Sequence, residues 1–308
     1  MRRFGYTPRF AVGVVAGSSV LGMLIPPSVM LIIYAIVTEL SVAAMFKAGI
    51  VPGLILALSY IALIVCMAVF FPNYIGGQDA KSRAYAEEQS VLSGMEVAKK
   101  IAPFVVLILL VLGGIYGGLF TPTEAGAVGA MGALVIAILK RKLTRPVFWR
   151  VLGETGNIVA SLLLLIVAAT MYSRMLAITG LPTEFGVWLG GTDLGLLGIL
   201  TIYVVMLIIM GTILDTTSII LIMVPLFLPV MMPYDISLIC FGIITIVGAE
   251  IGLLTPPLGI SCYVIKATLP DKDISLFDVF AGAFPFAVVM LLVLILLIAF
   301  PALSLVFV

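Results

Sequence analysis

Long apolar runs, separated by short polar segments, make up most of this chain. Seven of them have the length of about 20 residues that a helix needs to cross roughly 30 Å of hydrocarbon. This pattern predicts an all-α polytopic membrane protein. The runs cover approximately residues 11–38, 48–71, 101–119, 124–140, 156–178, 238–268 and 280–308.

An eighth apolar stretch, 194–232, is too long for one crossing and is interrupted by the polar residues Thr212 and Asp215 to Ser218. Irregular backbone is tolerated at membrane depth when protein surrounds it. We therefore predict a re-entrant hairpin that enters and leaves the membrane by the same face. Two ordinary spans joined at Asp215 are the alternative, and they leave the rest of the topology unchanged.

Basic residues are distributed very unevenly between the two sides of this predicted topology. The side on which the first span begins carries 14 of the 16 Lys and Arg residues, and the other side carries only Lys47 and Arg174. Because cytoplasmic loops are enriched in basic residues, the first side is predicted to be cytoplasmic. The N-terminus of this chain is then cytoplasmic and its C-terminus periplasmic.

Two proline pairs indicate an internal repeat. The segment 22–27 (GMLIPP) aligns with 252–257 (GLLTPP) at an offset of 230 residues, and 48–52 aligns with 281–285 at an offset of 233. The first copy runs outward and the second inward, so the repeats are predicted to be inverted. Inverted repeats with interrupted helices recur in secondary transporters, which bind substrate and ions near the membrane midplane.

The repeat also sets the predicted domain organisation. The hairpin of the second copy has no counterpart before Pro26, so we expect this chain to lack an upstream portion of about 80 to 120 residues. The predicted parts are the remainder of the first repeat (1–71), a cytoplasmic connecting segment (72–100), scaffold helices (101–150) and the second repeat (151–308), with its hairpin (194–232), broken helix (238–268) and terminal helix (280–308).

Each Pro-Pro pair leaves backbone carbonyls without helical partners, because proline has no N–H and disfavours helical geometry in the residue before it. With nearby hydroxyls, such carbonyls can replace the hydration shell of a small cation, while half-helix N-termini favour an anionic group. A simple kink is the alternative for either pair, as is a water-exposed loop tip for Asp215.

The candidate residues form three sets. For the second break, the predicted cation ligands are Thr216, Ser218, Gly252, Leu254, Thr255 and Pro256. For the first break, a partial cation site is predicted at Ser18, Ser19, Gly22, Ile25 and Pro26. Predicted substrate-binding residues are Ser28, Asp215, Thr217 and Thr255.

Composition narrows the chemistry further. The chain is 63% hydrophobic and 10% charged with a net charge of +1, which argues against a nucleic-acid partner. It has no histidine, and its three cysteines show no C-x-x-C spacing, so neither Ser-His catalysis nor a transition-metal site is expected. An intramembrane aspartyl hydrolase would need a second carboxylate beside Asp215. We predict that the protein is not an enzyme.

Four motifs make the chain resemble a known family. The segments 22–28, 114–124, 214–225 and 252–259 closely resemble the large membrane subunit of tripartite ATP-independent periplasmic (TRAP) transporters, in the same order and over the whole chain. Members of that family carry an earlier hairpin with a Ser-Gly-Ser-Ser-type tip, just upstream of the stretch that matches residues 1–10. This chain departs from the pattern by lacking that hairpin.

The resemblance implies a function. It implies Na⁺-driven uptake of an organic anion, a carboxylate or sugar acid, across a bacterial or archaeal inner membrane, without an organic cofactor. It implies two partners, a periplasmic solute-binding protein and a small membrane subunit, and an elevator mechanism of the ion-transporter-superfamily type. Its cation sites would be sodium sites. A stand-alone sodium-coupled carboxylate carrier or antiporter, and an inactive membrane fragment, are the alternatives.

Overall fold

The computed structural model describes residues 1, 5–76, 94–192, 194–269 and 274–308. These residues form helices, turns and one isolated bridge, with no β-strand among them. In the described part of the chain, six helices are long and apolar enough to cross a membrane, and a bent pair at the first Pro-Pro break adds a seventh span. The prediction of an all-α polytopic membrane protein is confirmed.

The helices are numbered here in chain order. They are α1 (Pro8–Leu24), α2 (Val29–Val37), α3 (Val42–Phe70), α4 (Pro72–Ile75), α5 (Gly94–Tyr116), α6 (Pro122–Leu139), α7 (Arg145–Thr179), α8 (Leu181–Gly190), α9 (Gly195–Gly211), α10 (Thr216–Met231), α11 (Leu238–Leu253), α12 (Ile260–Thr268) and α13 (Leu276–Ala299). Short 3₁₀ turns follow α10 and α13.

The chain forms two compact units. One consists of residues 1–88 and 170–308, and the other of residues 89–169. Helix α7 contributes to both, so the predicted domain boundaries at 71, 100 and 150 stay predictions. Most of the predicted cytoplasmic connection, 77–93, lies outside the described residues.

Short polar motifs determine where several helices begin. Thr121 caps α6 and forms a capping box with Glu124, in which each side chain accepts a hydrogen bond from the other residue's backbone N–H. Ser275 and Asp278 form the same motif at the start of α13. Such caps satisfy N–H groups that have no partner within the helix.

In the larger unit, α1 packs against α13 at a glycine contact. A Cβ atom on Gly13 would collide with the backbone of Gly282, and one on Gly17 would collide with the Phe286 ring. Near the start of both helices, Arg9 forms an ion pair with Asp278 at 2.5 Å. Because glycine carries no side chain, the backbones of α1 and α13 approach each other closely.

A second glycine contact joins α9 to α11. A Cβ on Gly252 would lie 2.5 Å from the Gly211 Cα atom. Beyond this contact, the Tyr203 ring lies 4.7 Å from the ring of Phe241, and its hydroxyl lies 2.8 Å from that of Thr245. The first arm of the helical hairpin α9–α10 is therefore held against the first half of the second broken helix.

Helix α8 was not predicted from the apolar pattern. It begins with Pro182 in its first turn and Glu184 close behind, both typical of a helix start. Phe185 packs edge-on against Phe227 of the hairpin at 5.3 Å, while Trp188 is 65% exposed. An aromatic residue exposed at the end of a hydrophobic segment is typical of the membrane–water interface.

In the smaller unit, α5 and α6 pack against each other around a tight turn. The N–H groups of Leu119 and Phe120 both donate to the Gly114 carbonyl, and the Phe120 ring lies where a Gly114 side chain would be. Most outward side chains of these two helices are apolar and exposed. Such surfaces suit lipid as the surrounding solvent.

Candidate functional site

The two Pro-Pro pairs interrupt two helices, as predicted. Helices α1 and α2 are separated by residues 25–28 and bent by 43°, and α11 and α12 are separated by residues 254–259. The Pro26-Pro27 and Pro256-Pro257 bonds are both cis. The breaks differ in length, although the aligned motifs are equally long.

At the second break, several polar groups are already bonded locally. The Thr255 N–H donates to the Gly252 carbonyl at 2.9 Å, and its hydroxyl donates to the Ile251 carbonyl at 2.7 Å. The Leu254 N–H also donates to the Ile251 carbonyl. These bonds close the C-terminal end of α11 and leave the carbonyls that follow it free to point elsewhere.

Two carbonyls at this break, those of Leu253 and Thr255, converge on one point beside Gly259. The Leu253 and Thr255 oxygens each lie 3.0 Å from the position that a Gly259 Cβ would occupy, and the Phe280 ring lies 2.6 Å from it. Gly259 has φ of +37°, a region that residues with side chains rarely adopt. Glycine at this position therefore lets two backbone oxygens and the Phe280 ring approach the start of α12 closely.

The hairpin tip lies beside the second break. The Gly259 N–H donates to the Thr212 carbonyl at 2.9 Å, which ties the tip to the start of α12. Asp215 caps α10, because its carboxylate accepts hydrogen bonds from the backbone N–H and the hydroxyl of Ser218. Of the predicted ligands, Asp215 and Ser218 are thus paired with each other.

A buried carboxylate lies behind this tip. Thr216 donates its hydroxyl to Glu250 Oε1 at 2.6 Å, and the two residues are 2% and 1% exposed. Glu250 Oε2 has no hydrogen-bond partner among the described residues. Glu250 is outside the predicted ligand sets, although its place beside the second break indicates from sequence alone an influence on the ion site. A carboxylate inside an apolar run, two residues before Gly252, was the available signal.

The hydroxyls at the first break serve their own helices. Ser18 and Ser19 donate to the carbonyls of Val15 and Ala16. Ser28 donates to the Met23 carbonyl and caps α2. Gly22 has no atom within 4 Å of its would-be Cβ, and Ile25 is 38% exposed.

A cavity of about 330 Å³ lies between the two broken helices and the hairpin tip. Three of the predicted residues line it, namely Ser19, Asp215 and Thr216. Ser28 and Thr255 are bonded elsewhere, as described above, and the Thr217 hydroxyl contacts the Met30 sulfur at 3.8 Å. The full lining consists of Ser19, Met23, Met30, Asp215, Thr216, Leu253, Ile260, Ser261, Val264 and Ile265.

First-turn residues of three helices line the cavity, so the N-terminal ends of these helices lie beside it. Met30 belongs to the first turn of α2, Thr216 to that of α10, and Ile260 and Ser261 to that of α12. First-turn N–H groups have no carbonyl partner in their own helix and carry partial positive charge. Ser261 was missed in the sequence analysis, although a hydroxyl just after a Pro-Pro-x-Gly segment was a usable signal.

The oxygen atoms available as ligands at the second break suit a small hard cation. They are backbone carbonyls, hydroxyls and carboxylate oxygens, which suit such an ion better than nitrogen or sulfur would. In the described residues, no group of three His, Cys, Asp or Glu side chains is placed to hold a metal ion.

Interrupted helices that meet a helical hairpin around a partly open cavity, in a chain of membrane-spanning helices, define a membrane transport protein. The sequence comparisons are more specific. The chain belongs to the family described as "Tripartite ATP-independent periplasmic transporter, DctM component", whose family model matches residues 1–303.

Curated relatives agree with this assignment. The chain is 35% identical to the C4-dicarboxylate TRAP transporter large permease protein DctM of Pseudomonas aeruginosa and 32% identical to the DctM of Rhodobacter capsulatus. It is 31% identical to the sialic acid TRAP transporter large permease protein SiaM of Vibrio cholerae. These alignments cover 98–99% of the chain and 69% of each relative.

The family assignment confirms the resemblance stated from the four motifs. Because the relatives are permease subunits of transporters, the prediction that the protein is not an enzyme is confirmed as well. The intramembrane hydrolase alternative does not apply. The predicted binding residues stay predictions, with the positions described above.

Proposed function

We propose that this chain is the membrane permease of a Na⁺-coupled importer for an organic anion. The substrate class is a carboxylate or a sugar acid, because the relatives act on C4-dicarboxylates or sialic acid by name. The second break and the hairpin tip hold the coupling ion. The substrate binds in the cavity between the two broken helices.

The convergence of three helix N-termini on one cavity is the observation that carries this proposal. A carboxylate placed there lies at the positive ends of the helix dipoles and accepts hydrogen bonds from first-turn N–H groups other than those that the caps Ser28 and Asp215 already bind. Met23, Met30 and Leu253 provide apolar walls that suit the carbon skeleton of such a substrate.

Asp215 needs a separate explanation, because a carboxylate on the cavity wall repels an anion. Its charge is partly satisfied by the two hydrogen bonds from Ser218. We propose that Asp215 faces the substrate across a bound Na⁺, so that the ion screens one negative charge from the other. Substrate affinity would then depend on Na⁺ concentration.

Two partners complete the proposed transporter. A periplasmic solute-binding protein delivers the anion, and a small membrane subunit braces the permease in the inner membrane of a bacterium or archaeon. The distribution of Lys and Arg supports a cytoplasmic N-terminus and a periplasmic C-terminus for this chain. Family membership favours this tripartite arrangement over a stand-alone carrier.

Reconstitution tests the proposal. The chain and the proposed small membrane subunit are placed in proteoliposomes, and the proposed solute-binding protein is loaded with radiolabelled succinate or sialic acid. We expect uptake when Na⁺ is higher outside and none when choline replaces Na⁺. Equal uptake with the Na⁺ gradient and with choline in its place would refute the coupling of transport to Na⁺.

Omitting the binding protein separates the two transporter hypotheses. The tripartite transporter should then lose nearly all uptake of the same anion. Full uptake from free anion, with neither the binding protein nor the small subunit present, would establish the stand-alone carrier instead.

A further inference from the structure

The buried carboxylate of Glu250 has no role in the site as proposed so far. Its side chain belongs to α11, is 1% exposed, and directly follows the segment 238–249, which is apolar apart from Thr245. An ionised carboxylate in such surroundings is strongly destabilising unless charged or polar partners compensate for its lost hydration. Its retention here therefore calls for a partner.

The described residues provide only part of that compensation. Oε1 accepts the Thr216 hydroxyl at 2.6 Å, a distance typical of a hydroxyl that donates to an ionised carboxylate. Oε2 has no partner, and no described basic side chain forms an ion pair with Glu250. An ionised Glu250 requires a positive charge in this part of the site.

The position of Thr216 indicates where that charge belongs. Thr216 begins α10, directly after the capping residue Asp215, and lines the cavity at the hairpin tip. Because its only hydroxyl proton is donated to Glu250, its oxygen can offer nothing but lone pairs to any other neighbour. That orientation suits a cation ligand and does not suit a donor to an anion.

We propose that Glu250 is a positioning residue for the second sodium site, where it orients the Thr216 hydroxyl and supplies the buried negative charge that balances Na⁺. This proposal rests on the sodium coupling proposed above. Asp215 caps α10 at the exposed tip and faces the cavity, so Glu250 is the buried carboxylate of the two. In the first copy, the position aligned with Glu250 is the apolar Val20, so the two cation sites are unequal.

Equilibrium binding of radiolabelled Na⁺ to the purified full-length protein in nanodiscs tests the proposal without requiring a known substrate. Glu250→Gln keeps the acceptor oxygen for Thr216 and removes only the charge. We expect it to weaken one class of Na⁺ sites by about tenfold or more, because the ion loses its counter-charge in a water-poor site. Glu184→Gln, which removes an exposed carboxylate from α8, is the matched control and should leave binding unchanged.

Two variants of the partner residue test the orientation step independently. Thr216→Val removes the hydroxyl and should weaken Na⁺ binding by about as much as Glu250→Gln, while Thr216→Ser should bind within about threefold of wild type. The double variant Glu250→Gln with Thr216→Val should be no weaker than either single variant, because both disable one unit. If Glu250→Gln fails to fold, the difference in Na⁺ affinity between Thr216→Val and Thr216→Ser tests the proposal by itself.

The possible outcomes separate this proposal from the proposed function. If the wild-type protein shows no saturable Na⁺ binding, the sodium-coupled function is itself refuted. If the wild type binds Na⁺ and Glu250→Gln binds it equally well, only the role of Glu250 is refuted, and its bond to Thr216 is then a structural tie. Equal Na⁺ affinities for Thr216→Val and Thr216→Ser would refute the orientation step.

Discussion

The contact between Gly211 and Gly252 gives the sharpest prediction about stability. Replacing Gly252 with Ala adds one carbon atom where α9 and α11 meet. That carbon would lie 2.5 Å from both the Gly211 Cα atom and the Ile208 carbonyl oxygen. Ordinary contacts between carbon atoms are about 3.5 to 4.0 Å long. The hairpin arm must therefore move by about 1 Å to accommodate one methyl group.

The expected cost follows from two opposing effects. Overpacking a well-packed site costs about 1 to 3 kcal/mol, and the upper part of that range applies because both obstructing atoms belong to backbone. Ala in a helix interior gains about 0.5 to 1 kcal/mol relative to Gly. Net destabilisation is then about 2 kcal/mol, or about 4 to 8 °C in Tm by the scaling for soluble domains of 150 to 250 residues.

Thermal unfolding in detergent measures this change with the protein's own cysteines. Cys240 and Cys262 are fully buried, so a dye that fluoresces on reaction with thiols reports their exposure during unfolding. Cys66 is exposed and is replaced by Ala in all variants to remove the background signal. Glycine 22 provides the matched control, because it aligns with Gly252 in the internal repeat and has open space at its would-be Cβ.

Gly22→Ala should leave Tm unchanged or raise it slightly, for the same reason that favours Ala over Gly in any helix. A Gly252→Ala variant as stable as the wild type would show that the hairpin arm is not held at the observed distance. An equal loss of stability in Gly22→Ala and Gly252→Ala would show that the loss does not arise from the contact between Gly252 and the hairpin arm.

Three further predictions concern the ion site, the helix ends and the topology. Gly259→Ala should weaken binding of radiolabelled Na⁺ by about tenfold or more, because its methyl group would displace the Leu253 and Thr255 carbonyls and the Phe280 ring, and because Ala is strained at this φ by about 1 to 2 kcal/mol. Unchanged binding would remove these two carbonyls from the site. Ser275→Ala should lower stability by about 1 kcal/mol, because it removes the cap of α13. Arg9→Ala should lower it by less, because the Arg9 side chain in its ion pair is 52% exposed. The thiol-dye assay should rank the two variants in that order, and the reverse ranking would show that the ion pair stabilises the protein more than the cap does. A membrane-impermeant maleimide should label Lys47→Cys in intact spheroplasts and Lys140→Cys only after permeabilisation, and the opposite result would invert the topology.

Much of the fold could be predicted because its signals are local. The length of the apolar runs gives the spans, and the absence of a proline N–H gives the two helix breaks near Pro26 and Pro256. Thr121, with Glu124 three residues later, marks a helix start without any tertiary information. Helix α8 escaped prediction because its ten residues are too few for a span, so the apolar pattern alone did not register it.

The candidate site was harder to predict, because its geometry depends on which way each side chain points. Ser28 and Thr255 are predicted ligands because they adjoin the breaks, and Thr217 because it lies at the hairpin tip. The structure shows their hydroxyls in contact with local carbonyls or a methionine sulfur. Glu250 and Ser261 escaped the predicted sets because the bond to Thr216 and the cavity depend on contacts between distant segments.

The glycine contact between α9 and α11 also constrains how this chain can diverge. An atom added at Gly252 collides with Gly211, and an atom added at Gly211 collides with Ala249 and Gly252, so no replacement at one position can relieve a replacement at the other. The bond from the Gly259 N–H to the Thr212 carbonyl fixes the same ends and opposes sliding of one helix along the other. Homologues that retain this hairpin should therefore inherit the two glycines as a pair, while the lipid-facing positions around them drift freely among apolar residues.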